Sequence, residues 1–179
     1  VFSLEDLPKP IAVLGLDEEN RFVDKKGNWD VLHYVPAQVR KYPFGLAPLE
    51  NEDQYALCVD EGSDMYMAKK AKRPFFVGDD TSEMVKKAFE ICKQLQTNAA
   101  NTERFCRALK DADLLSEKRV QVSMEDGENR YIAGFLILDE EKWNSHAQTH
   151  LAQWHQSGLL AYIYLVLVSQ MNWKYLALR

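Results

Sequence analysis

The sequence predicts an α+β protein, and three observations carry that reading. The first sixty residues are rich in β-branched and aromatic types broken by turn signals. A three-and-four apolar stripe runs from Val85 to Leu109, and the last twenty residues are mostly apolar. At 179 residues and 46% hydrophobic content, the chain can bury one sizeable core, so a single domain over residues 1–179 is expected.

The first half reads as short antiparallel strands: IAVLGL from Ile11, RFV from Arg21 and WDVLHYV from Trp29, with turns at residues 18–20 and 26–28. A further strand, QYALCV, covers residues 54–59, and residues 65–79 read as a loop. Between Pro36 and Pro43, YVPAQVRKYPF reads as a helical turn or irregular docking element that carries Tyr34, Arg40 and Tyr42. Asp80 and Glu83 have capping-box spacing. From there Val85, Ala88, Cys92, Leu95, Ala99, Thr102, Cys106 and Leu109 define one face of a long amphipathic helix, widened by Phe89 and Phe105.

A β-hairpin follows. Val120, Val122 and Met124 alternate on one arm, Asp126 and Gly127 turn, and residues 131–138 return with apolar side chains on both faces. The chain then reads as a helix, a stop or bend at Gly158, and a strongly apolar helix expected in the core with Trp154 and Tyr164. No repeat or low-complexity segment interrupts this order.

Charge and cysteine usage exclude several functions. A net charge of -5 from interspersed acids and bases argues against nucleic acid or anionic lipid as a general partner. The one cationic cluster, Lys69, Lys70, Lys72 and Arg73, lacks interleaved aromatics and reads as a solvated loop. Cys92 and Cys106 lie fourteen residues apart on one helix, roughly 21 Å at 1.5 Å per residue, which is beyond disulfide reach. Cys58 lacks a CxxC partner, so all three read as reduced core thiols, favouring a cytoplasmic compartment. The apolar run at residues 159–168 is half the roughly twenty residues of a membrane helix, so no membrane insertion is expected. The opening VFSLEDLPKP has no start methionine, and an N-terminal truncation that could have removed a targeting segment is expected.

No nucleophile, phosphate-loop or metal motif defines a reaction. His146 and His150 share a helix face, but His155 falls on the opposite side and no HExxH acid accompanies them, so no metal site is expected. Asp60 and Glu61 follow a strand, where adjacent side chains diverge. Asp60 therefore reads as a partner of Arg40 or of the Gly62 backbone. Arg40 among Tyr34, Tyr42 and Trp29 is the best recognition surface, because guanidinium groups bind carboxylates and stack on rings. The same arginine could instead clamp the two halves of the protein together.

These segments carry a resemblance. The run AVLGLDEENRFVDKKGNWDVLHYVPAQVRKYPFGLA, then ALCVDEGSDM, FCRAL at residues 105–109 and QWHQSGLLAYIYLVLVS together resemble the SapC family of bacterial proteins over nearly the whole chain. The resemblance implies an upstream segment ending in a PIVF-like strand whose tail is Val1 and Phe2. It also implies an association with the bacterial surface layer or its production, with no activity attached. The family's last helix often reads IYAHL where this chain has Ile163, Tyr164, Leu165, Val166 and Leu167, so a histidine role at position 166 does not transfer.

The reading favours a non-catalytic binding or assembly protein with a protein partner and no cofactor, and with homodimerisation through an exposed strand edge as a further expectation. The alternative is a small-ligand-binding or enzymatic accessory protein. Its pocket, between the β half and the helices, would be lined by Arg40, Tyr42, Asp60, Tyr34 and Trp154.

Overall fold

The chain folds into thirteen elements in a computed structural model that describes residues 1–50, 54–66, 73–124 and 127–177, with backbone alone at 146–150, 174 and 177. Helices and antiparallel strands are mixed, which makes the fold α+β. Two compact units emerge: residues 1–33 with 101–179, and residues 34–100.

In the second unit, Pro36 precedes helix α1 (Ala37–Lys41), and β1 (Phe44–Pro48) pairs antiparallel with β2 (Tyr55–Val59) in a register that sets Phe44 against Val59. The helical turn between the prolines and the 54–59 strand are both present. The expected loop at 65–79 instead contains half of a small ladder, β3 (Phe76–Val77) with β4 (Asp80–Thr81). Lys69, Lys70 and Lys72 lie outside the described residues.

Helix α2 (Glu83–Asp111) is the long helix expected from the stripe. Its start differs from the capping-box reading. Asp80 is held in β4 against Val77, and the Ser82 hydroxyl accepts the Val85 N–H at 3.5 Å. The stripe is also interrupted, because Ala99 and Thr102 are exposed while Cys92, Phe105, Cys106 and Leu109 are buried.

The first unit holds the main core. Phe2, Phe105, Cys106, Leu109, Leu114, Leu138, Trp143, Trp154, Leu159 and Ile163 form one buried cluster. Around it, β5 (Leu115–Glu117) pairs with β8 (Leu136–Leu138), and β6 (Val120–Ser123) pairs with β7 (Asn129–Ile132). The expected hairpin is therefore β6 and β7, but its second arm does not run on to Leu138. Gly134 takes a φ of 88°, open to glycine and strained for other residues, and the chain breaks there and re-pairs with β5. Asp126 of the expected turn lies outside the described residues.

The strands expected in residues 11–33 do not form, apart from an isolated bridge between Val23 and Trp29. The cause is local competition. The side chains of Asp17, Asn20, Asp24 and Asp30 accept the N–H groups of Glu19, Phe22, Lys26 and Leu32, each two residues on. Such turns divert backbone donors that a ladder would need.

Helix α3 (Glu140–Gln156) begins at the Asp139 cap, and Gly158, at φ 74°, separates it from α4 (Leu159–Gln170), as the stop reading required. Helix α5 (Trp173–Ala177) closes the unit. The expectation that the last apolar helix sits in the core is corrected here. Helix α4 buries Leu159 and Ile163 but exposes Tyr164, Leu165 and Val168. Its apolar content exceeds what one contact stripe can cover, since residues packed on one side of a helix recur only every three to four positions.

Candidate functional site

Four of the five expected site residues belong to the second unit, and Trp154 belongs to the first. Tyr34 precedes α1 and Arg40 lies in its last turn, six residues on, and the short helix between Pro36 and Tyr42 returns Arg40 toward Tyr34. The Arg40 guanidinium lies over the Tyr34 ring, 4.7 Å from its centroid, and donates to the Tyr34 hydroxyl. This pairing combines a cation–π contact with a hydrogen bond. Both groups remain in solvent, with Tyr34 at 70% exposure.

Tyr42 follows α1, and Asp60 follows β2. Because β1 and β2 are paired, with the Asp60 N–H donating to the Pro43 carbonyl at 2.9 Å, the two residues come together. The Tyr42 hydroxyl donates to Asp60 Oδ2 at 3.3 Å, while Asp60 Oδ1 accepts the Gly62 N–H at 3.0 Å. Asp60 thus takes the turn-bonding role, and among the described residues it makes no ion pair with Arg40. The buried Ser63 continues this turn by accepting the Met65 N–H at 3.1 Å. The result is two adjacent pairs, Tyr34 with Arg40 and Tyr42 with Asp60, joined by a five-residue helix.

Trp29, read as a neighbour of this surface, sits in the first unit and stacks on Phe22 with ring centroids 6.0 Å apart. Trp154 is buried in the first unit's core, 5.8 Å from the Trp143 ring. It also borders an open cleft of about 300 Å³ with Arg104, Arg107, Gln153 and Ser157. That cleft is not strongly cationic, because Glu103 pairs with Arg107 at 2.8 Å and Asp111 also lines it. Tyr164, expected in the core, is half exposed and meets Trp143 edge-on.

The thiols divide in a way the spacing did not foresee. Cys92 and Cys106 are buried on α2 as expected, and burial pushes both thiols up from their ordinary range. Cys58, expected in the core, is exposed on β2. Among the described residues no group of three His, Cys, Asp or Glu side chains could hold a metal. The side chains of His146 and His150 lie outside that description. No described helix is long and apolar enough to cross a membrane.

The missed feature is the uncovered face of α4. Its tyrosines were the available signal, since Tyr162 and Tyr164 carry hydroxyls that a dry core would have to satisfy.

An α+β protein with an aromatic and cationic surface element, and without a recognisable reaction centre among the described residues, is the class these observations define. The SapC family pattern matches residues 1–176, and the chain belongs to the SapC family. No curated protein and no solved structure matches it.

Proposed function

We propose that this chain is a non-catalytic binding or assembly protein whose recognition element is the α1 segment bearing Tyr34, Arg40 and Tyr42. One observation carries the reading: these three side chains stand in solvent, ordered against each other and Asp60, instead of interdigitating in a core. Tyrosine and arginine are the residues that dominate binding energy at protein interfaces. Holding Arg40 on Tyr34 before contact lowers the entropy lost on docking. The family's surface-layer association supports a partner in that layer or in its production. The family match spans both units, which supports treating residues 1–176 as one functional domain.

The test compares the native chain with Arg40→Ala in crosslinked capture from a bacterial extract. A defined protein retained by the native chain and reduced about tenfold or more with Arg40→Ala, roughly 1.4 kcal/mol, is the expected result. Identical captures by both chains, or no specific capture by either, would remove the reading.

A further inference from the structure

We infer that the uncovered face of α4 docks against the same face of a second copy of this chain. Ala161, Tyr164, Leu165 and Val168 recur at steps that place them on one side of the helix, and all four are exposed. Tyr164, Leu165, Val168 and Met171 are 51%, 64%, 60% and 67% exposed. Taking each side chain at ~200 Å², the size of an aromatic one, they present on the order of 500 Å² of mostly apolar surface. That is more than half of the ~800 Å² each partner buries in a stable interface.

Charge selects the occupant. Between His155 and Lys174 there is no Asp, Glu, Lys, Arg or His, in a chain whose net charge is -5. A two-fold interface sets each patch against its own copy, so a net charge on the patch would face its like. A face without charge over this whole stretch avoids that repulsion. It also offers none of the charge pairs that give a different partner its specificity. The Tyr164 hydroxyl can both donate and accept, so it can pair with its own copy across such an interface. Every residue invoked lies in the first unit, so the inference stands apart from the α1 surface.

Sedimentation of the purified chain over a micromolar concentration series tests this. The expected native species is twice the 20.7 kDa chain. Leu165→Glu, which introduces a charge into the face, should weaken association at least about tenfold with unchanged far-UV circular dichroism. A native chain that sediments as one copy throughout would overturn the inference and leave the face to a different protein. A Leu165→Glu chain that still pairs as tightly would also overturn it. A Leu165→Glu chain that fails to fold would do the same, since an exposed position tolerates the charge. Val168→Glu repeats the test one turn along.

Discussion

Gln170 completes the outer edge of β8: its carboxamide accepts the Leu138 N–H at 2.8 Å and donates to the Leu138 carbonyl at 3.1 Å. Two residues earlier on the same strand, Leu136 exchanges both backbone bonds with Phe2, each at 2.8 Å. Antiparallel pairing with β5 leaves these alternate residues facing the other edge. One backbone and one side chain therefore continue the sheet, which has no third strand among the described residues. Gln170→Leu should destabilise the protein by about 1–3 kcal/mol, because it strands two backbone groups beside the core. Chemical denaturation would read this, and Gln170→Glu, which keeps an acceptor only, should fall between the two.

Asp139 is a second fixed point. It caps α3 by accepting the Glu141 and Lys142 N–H groups and pairs with Lys118 at 3.0 Å. The Lys118 hydrogen bond is the main cause that lowers its carboxyl to about 2, against opposition from burial. A lowered folded value means the contribution is complete above about pH 4 and is lost as pH falls toward 2. Up to roughly 2 kcal/mol depends on it. Asp139→Asn should flatten acid unfolding between pH 4 and 2 while retaining a cap, and Asp139→Ala should also lose about 1 kcal/mol at neutral pH.

Thiol labelling should distinguish the cysteines. Cys58 is exposed, whereas Cys92 and Cys106 are buried with raised thiol values that disfavour the reactive thiolate. One of the three should react promptly at neutral pH and the other two only after unfolding. Two or three prompt thiols in the folded chain would contradict this packing.

Ile163 and Leu165 stand two residues apart on α4 with opposite surroundings, fully buried and 64% exposed. Ile163→Ala should cost about 2–5 kcal/mol through the cavity it leaves. Leu165→Ala should change stability of the isolated chain by no more than about 0.5 kcal/mol. Thermal melts at low protein concentration would separate the two, and equal losses would mean that α4 is enclosed.

The legible parts of this fold were those written in local pattern. Val85, Ala88, Cys92 and Leu95 announced α2, Gly158 announced the break before α4, and Tyr55 to Val59 announced β2. Residues 11–33 misled because their apolar runs resemble strands, while the carboxylates of Asp17, Asp24 and Asp30 hold the backbone in turns. At the candidate site, residue type singled out Arg40, Tyr34 and Tyr42. Neither spacing nor composition revealed that Arg40 would take Tyr34 and leave Asp60 to Tyr42 and Gly62.

By itself, then, the sequence determined the α+β class, the long helix, the hairpin and the family, because periodicity, turn residues and family-matching runs are local properties of the chain. The tertiary structure alone decided that β8 leaves β7 for β5, that Gln170 serves as a strand edge, and which side of α4 is covered. Those outcomes depend on which distant surfaces meet. Hydrophobicity states that a face prefers contact without naming the contact, since the apolar driving force is proportional to area and has no direction.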